Sequence, residues 1–451
     1  MNYRHLDLIS DRTGNPEVIR LFDGVFWVAQ GKERSAAVWI SAHSFEEGDW
    51  DRAFQILQKE VGTPLGFKAV GTSMLLTPLA NWLEGHDFKL LNKAVREGGF
   101  ELRFFPKESK IKVLRKLRVV VVDDSKTIRT LLTKIFNSDP SLEVVGSADR
   151  PSAAFELIKT LKPDVITLDV EMPEQDGVSF LKEYLKTHPI PTVMVSSLSL
   201  EDGLRVLQAL EAGAVDYMQK PTAEELAELS PILIEKVKSA AGAKVKAVNS
   251  AVKLSKSKGR MDSSCLVAIG SSTGGVEALR LLLTSLPEEI PPVVITQHIP
   301  AVFSKAFADR INSLCPFNVV EATHGMAVLP GTVYIAPGGK QMQIRKRPDH
   351  GLQIVIDDSP PVNRHKPSVD HLFDSVVKAC GGKCIGVILT GMGADGAAGL
   401  LKLRKAGART IAQDEASCAV FGMPKEAIRL NAAQEVLPIG EIAQKLIDWL
   451  S

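Results

Sequence analysis

Long apolar runs are missing from this 451-residue sequence: stretches such as Val119–Val122 are strand length, far short of the roughly 18 residues of a membrane span. The opening MNYRHLDLISDRTG has no apolar core of a secretion signal, so neither export nor membrane insertion is expected. Cysteine is scarce. The five residues all lie from Cys265 onward, and an odd number without a signal reads as reduced thiols in a cytoplasmic protein. An excess of one charge is also lacking, since 54 Lys+Arg face 53 Asp+Glu; nothing global points to nucleic acid. Aromatics make up only 6%, and four of the five Trp (27, 39, 50 and 82) cluster near the N-terminus, where they read as core. What remains, 45% apolar and 24% charged, is an ordinary globular composition. The length is too great for one hydrophobic core and suggests about three domains.

From Lys236 to Arg260 the chain carries seven Lys, one Arg and no acid, which reads as a linker. Just before it, Ala223–Ala241 has helical spacing, interrupted by Pro231. Residues 117–222 alternate buried-strand patterns (LRVVVVDD, DVITLDV, PTVMVSS) with helical ones (TIRTLLTKIF), as a doubly wound parallel sheet requires. Residues 263–451 repeat the alternation in CLVAIGSS, PPVVITQH, CIGVILTGMG and ARTIAQD. The expected architecture is α/β: two doubly wound domains, 117–222 and 263–451, joined by a linker over 223–262. A small α+β domain over 1–116 precedes them, with VFWVAQ and AAVWIS as strands and WDRAFQILQKEV and DFKLLNKAVREG as helices.

In such sheets ligands sit at the carboxyl ends of the strands. In 117–222 those ends carry Asp123 and Asp124, then Asp169, Ser196 and Lys220. Clustered carboxylates need a counterion, and hard oxygen ligands suit Mg²⁺. Asp169 is then the nucleophile toward phosphorus and a metal ligand with Asp124, Asp123 and the Glu171 carbonyl, while Ser196 and Lys220 take the phosphoryl oxygens. In 263–451, Gly270-Ser271-Ser272-Thr273-Gly274 satisfies G-x-S-x-G between a strand and a helix, a register that selects Ser272 as nucleophile. A Ser/Gly-rich turn before a helix is also a common phosphate loop, but no Walker Lys-Ser/Thr follows. His298 and Asp395 each follow an apolar strand, so a base and its orienting acid reach the same edge. Backbone N–H groups near Thr273 and Met392 suit an oxyanion hole, and this chemistry needs no cofactor. His324, His365 and His371 have no ligand-type spacing.

The strings VVDDS, LDVEMPEQDGVSFL, VSSL and DYMQKP resemble a response-regulator receiver domain; IGSSTGGVEAL, ITQHIP, VNRHKPSVDHLF and LTGMGADGAAGL resemble the catalytic domain of the chemotaxis protein-glutamate methylesterases. The chain order Ser, His, Asp differs from that of α/β-hydrolases. The resemblance implies phosphotransfer from a chemotaxis histidine kinase to Asp169 and places Tyr217 at the family's aromatic switch position. It further implies hydrolysis of glutamyl methyl esters on methyl-accepting receptors and deamidation of receptor glutamines. Arg364 and His365 are expected in the cleft with no chemical role. The competing reading is a receiver-linked adaptor with a non-catalytic esterase-like domain. Residues 1–116 fall outside the resemblance, and with no Cys before Cys265 to serve as a deamidase nucleophile they read as a docking or sensory module.

Overall fold

The computed structural model describes residues 116–197, 200–221, 226–243 and 262–451, and of the first 115 residues the backbone of seven strands. The chain divides into two units, Met1–Arg115 and Lys116–Ser451. In the first, β1 (Asp7–Ile9), β2 (Val18–Phe22), β3 (Val25–Gln30), β4 (Ser35–Ile40), β5 (Gly66–Gly71), β6 (Phe88–Arg96) and β7 (Gly99–Pro106) form one sheet in the order β1-β2-β3-β4-β5-β7-β6. Only β4 and β5 pair in parallel. The strands expected at VFWVAQ and AAVWIS are β3 and β4. DFKLLNKAVREG, expected to be a helix, is instead the hairpin strand β6 paired with β7. Its ladder shifts register between Leu90 and Asn92. One extra residue there breaks the two-residue alternation of a strand and leaves a spacing that imitates a helical face. The helix expected at WDRAFQILQKEV lies outside the described residues.

In the second unit β-branched runs build two parallel sheets. β8 (Leu117–Val122), β9 (Leu142–Ala148), β10 (Val165–Asp169), β11 (Thr192–Ser196) and β12 (Asp216–Gln219) lie in the order β12-β11-β10-β8-β9. The crossover helices are α1 (Lys126–Asn137), α2 (Pro151–Leu161), α3 (Gly177–Tyr184) and α4 (Leu200–Glu211). The order reverses between β8 and β10, where Asp123 and Asp169 emerge, so the acidic residues lie at the switch point. The next helix, α5 (Leu226–Ala241), follows the helical spacing of Ala223–Ala241, so the first part of the expected linker over 223–262 is a packed helix. Leu233, Val237 and Ala240 are buried with Val119, Val193 and Met218 despite Pro231 inside the helix, because this face covers the sheet. The basic side chains misled the reading: Lys236 and Lys238 ride on an amphipathic helix.

The second sheet holds β13 (Leu266–Ser271), β14 (Val293–Gln297), β15 (Asn318–Glu321) and β16 (Thr332–Ile335), then β19 (Cys384–Ile388), β20 (Arg409–Gln413) and β21 (Glu435–Leu437). Between β16 and β19 the hairpin β17 (Gln341–Lys346) and β18 (Leu352–Asp357) stands apart. The order β15-β16-β14-β13-β19-β20-β21 is parallel throughout. Its helices are α6 (Gly275–Thr284), α7 (Ala301–Asn312), α8 (Val369–Cys380), α9 (Ala397–Lys405), α10 (Met423–Arg429) and α11 (Ile439–Leu450). One apolar cluster runs from Leu207, Leu210 and Tyr217 of the first sheet's layer to Phe303 and Phe307 of α7, so the two sheets share a core boundary. Among the described residues no helix is long and apolar enough to cross a membrane.

Candidate active site

At the carboxyl edge of the second sheet, Ser272 opens the turn between β13 and α6. Its N–H donates to the Thr390 carbonyl (3.0 Å), and its own carbonyl accepts from Gly275 N–H (2.7 Å) and Gln297 Nε2 (2.9 Å). Gly274 holds a left-handed φ of 76°, which a side chain would strain. The turn sends the two serines apart. Ser271 is buried and donates to Gln297 Oε1 (2.6 Å), whereas Ser272 Oγ lies 3.1 Å from His298 Nδ1. His298 Nε2 lies 2.9 Å from Asp395 Oδ2. Gly391 packs directly on the serine: a Cβ there would come 2.7 Å from Ser272 Cβ, so only glycine lets the Gly391-Met392-Gly393 turn approach.

Asp395 is buried at the start of α8. Oδ2 accepts from Val369 N–H (2.7 Å) besides His298; Oδ1 accepts from Asn363 Nδ2 (2.8 Å), Ser368 Oγ (2.8 Å) and Asp370 N–H (3.2 Å). Burial alone would raise its pKa, but the bonds and charge of His298, with Asn363 and Val369, outweigh it and hold the carboxyl well below the usual range. It is ionised at any working pH. His365 lies flat on His298, ring centroids 3.7 Å apart at 11°. Burial, then the neighbouring His298, pushes His365 down to about 4, so it is a neutral imidazole.

The first sheet gathers the other site. Ligand oxygens of Asp123, Asp124 and Asp169 lie within 4.8 Å of one another. Lys220 Nζ donates to Asp169 Oδ2 (2.7 Å) and stands 3.0 Å from Asp123 Oδ2. The buried Asp123 Oδ2 is thus held by the Lys220 ion pair alone. Burial, with the Asp123 charge, raises Asp169 to about 6; Asp123 is raised too, mainly by burial. Three carboxylates with one ammonium between them are a donor set that fits a hard divalent cation.

The profile of the CheB methylesterase family matches residues 267–446, and that of the response regulator receiver domain matches 119–229. A protein-glutamate methylesterase/protein-glutamine glutaminase of Bordetella parapertussis is 49% identical over 343 residues, covering 75% of this chain and 98% of its own length. The chain belongs to that family. A namesake from Salmonella typhimurium is 48% identical, with 75% and 98% covered. The crystal structure of the Thermotoga maritima CheB methylesterase catalytic domain is 40% identical, covers 42% of this chain and 99% of its own, and superposes with a TM-score of 0.41. A receiver domain implies phosphorylation supported by Mg²⁺.

In this methylesterase-family chain the receiver strand β12 lies against the serine turn. Asp216 Oδ2 accepts from Thr273 Oγ1 (2.5 Å) while Oδ1 accepts from Lys236 Nζ (2.8 Å). Leu210, Asp216 and Tyr217 face Ser272, Gly274 and Glu277 across one narrow cleft. Tyr217, expected as a switch, is buried edge-on against Phe303 (5.0 Å, 88°), and its hydroxyl has no hydrogen-bond partner. Arg310 of α7 forms a two-pronged pair with Glu211 at 2.8 and 3.0 Å. That pair is half exposed and worth at most about 1 kcal/mol. The buried Phe303 ring, packed on Tyr217, adds an apolar contact beside that pair.

The expected residues divide clearly. Ser272, His298 and Asp395 meet, as do Asp123, Asp124, Asp169 and Lys220. Ser196 is buried at the end of β11 and donates to the Ser197 carbonyl (3.2 Å). Glu171 turns its carboxylate out to Arg205, with its N–H 3.4 Å from Asp169 Oδ1. Thr273 is buried with its hydroxyl committed to Asp216; in the Met392 turn Gly391 spends its N–H on the Val420 carbonyl. Sequence reasoning missed Asn363, Ser368 and Asp216. Ser368 ahead of an apolar helix is a readable cap, whereas nothing in the sequence around Asp216 marks a contact with a residue 57 positions away.

Proposed function

We propose that this chain is a protein-glutamate methylesterase whose receiver covers the active site until Asp169 is phosphorylated. It hydrolyses glutamyl methyl esters on methyl-accepting chemotaxis receptors, releasing methanol, and deamidates receptor glutamines. The observation that carries the reading is the continuous Ser272–His298–Asp395 chain, with the carboxylate fixed from both ends. His298 takes the Ser272 proton as Oγ adds to the ester carbonyl, and N–H groups at Thr273 and Met392 meet the developing oxyanion. His298 then returns the proton to the leaving methoxide or amine, and water repeats the sequence on the acyl-enzyme. A purely structural role for the esterase-like domain would not require an ionised, buried Asp395 beside His298.

In the receiver, Asp123, Asp124, Asp169 and the Glu171 carbonyl would hold Mg²⁺, which would offset charge on the transferring phosphoryl. Asp169 is the acceptor, supplied by the chemotaxis histidine kinase, and Ser196 and Lys220 receive the phosphoryl oxygens. Because Asp169 keeps a proton below about 6, cation and proton compete. Mg²⁺ affinity should therefore fall as the pH is lowered through 6 and level off above 7. Calorimetric Mg²⁺ titrations from pH 5 to 8 check this; a pH-independent affinity would contradict it.

Phosphorylation is read through β12, which runs from Asp216, on Thr273, toward Lys220, on Asp169. Moving Ser196 and Tyr217 toward a phosphoryl would withdraw that strand from the serine turn. The test is methanol release from methylated receptor membranes, with and without a small phosphodonor. The phosphodonor should raise turnover, and a fragment beginning near Ser263 should outpace the unphosphorylated whole chain. A fragment no faster than the whole chain, together with no phosphodonor response, would leave the covering receiver without a role.

A further inference from the structure

The amide of Asn363 hydrogen-bonds neither Ser272 nor His298; it spans two carboxylates. Nδ2 donates to Asp395 Oδ1 (2.8 Å) and to Asp370 Oδ2 (2.7 Å). Asp370 is anchored in turn, Oδ1 accepting from Gly399 N–H of α9 (2.6 Å). Of the five donors on Asp395, three come from the start of α8 and one is His298; Asn363 alone arrives from the preceding loop. Its backbone is left-handed (φ 53°), a region that asparagine tolerates better than other side-chain-bearing residues. Two carboxylates this close would repel, and an amide NH₂ offers one hydrogen to each.

We propose that Asn363 is a positioning residue for the esterase: it bridges Asp395 to Asp370 and so fixes the plane of the carboxylate that orients His298. This rests on the Ser272–His298–Asp395 reading above. Without the bridge the Asp395 carboxylate can turn about its side-chain bond, and the imidazole presented to Ser272 loses its fixed direction. The loss should appear in kcat rather than KM, because the amide is committed to Asp395 and Asp370.

Two replacements separate this role from mere packing. Asn363→Gly keeps the left-handed backbone unstrained and deletes the amide. Asn363→Asp keeps the shape but adds a third carboxylate facing Asp395 and Asp370, with Arg364 and His365 as chain neighbours and His298 beyond Asp395. That carboxylate can donate only when protonated. In the full-length chain, with methanol release as the readout, Asn363→Gly should lower kcat on the order of ten- to a hundred-fold with KM unchanged. Its ratio to wild type should be constant with pH. Asn363→Asp should be at least as impaired at pH 8, and its ratio to wild type should climb as the pH falls toward 5, where the new carboxyl takes a proton and bonds one neighbour. Thermal melting accompanies both variants. Wild-type kcat in a folded Asn363→Gly chain, or an Asn363→Asp ratio flat with pH, overturns the proposal. Ser272→Ala is run alongside: if it stays active, the underlying triad reading fails instead, whatever Asn363 does.

Discussion

Ser272→Ala is expected to abolish methanol release from methylated receptor membranes, with kcat lowered on the order of 10⁴- to 10⁶-fold, while the protein folds and melts as wild type. Alanine supplies no oxygen to add to the ester carbonyl. The residual rate would come from binding and the oxyanion site alone. Ser272 is partly accessible and its carbonyl and N–H, not its hydroxyl, hold the turn, so the fold should not notice the change. His298→Ala should match it without adding to it in the double variant, because both remove the same proton-transfer step. Asp395→Asn should lose somewhat less. Ser271→Ala is the discriminating control: its hydroxyl is buried on Gln297, so activity should survive. An active Ser272→Ala with a dead Ser271→Ala would move the nucleophile one residue.

Asp169→Ala should end all labelling by a phosphodonor in the presence of Mg²⁺, and with it all activation of the esterase by that donor. The wild-type carboxylate has Lys220 at 2.7 Å and the other acids at metal-sharing distance, and no neighbouring acceptor occupies an equivalent place. Asp123 is a neighbouring carboxylate, but it is buried and burial raises its pKa. Its replacement by Ala should reduce labelling through loss of Mg²⁺ rather than remove the acceptor. Labelling measured with a radioactive phosphodonor, with chelator as the blank, checks both. Undiminished incorporation in Asp169→Ala would place the acceptor elsewhere.

Much of this was legible in the sequence because parallel sheets write themselves plainly. Strands buried on both faces appear as short runs of Val and Ile, and each ends at the edge where polar residues collect. Hence Asp123, Asp169, Lys220, Ser272 and His298 could be placed at strand ends without coordinates. Contacts made across distance were not legible. Asn363 reaches Asp395 from a loop with irregular backbone, and Asp216 reaches Thr273 across two sheets; neither leaves a periodic trace. The one error of element type lies at β6, where an extra residue disturbed the alternation. At α5 the helical spacing was legible, but the lysine heads masked its apolar face and drew the expected linker over a packed helix.

If the receiver covers Ser272 as proposed, the bond between Asp216 and Thr273 would set the receiver and an incoming receptor segment in competition for one patch of surface. Mutually exclusive occupancy would make the substrate itself an effector. A receptor that enters the cleft must first find the receiver displaced, so it draws the population toward the arrangement in which phosphorylated Asp169 is also favoured. Linkage requires the converse in equal measure: each tenfold gain in receptor affinity on phosphorylation is a tenfold gain in the stability of the phosphorylated state when receptor is bound. Bound receptor would then hold a larger share of the enzyme in its active form than is found without it.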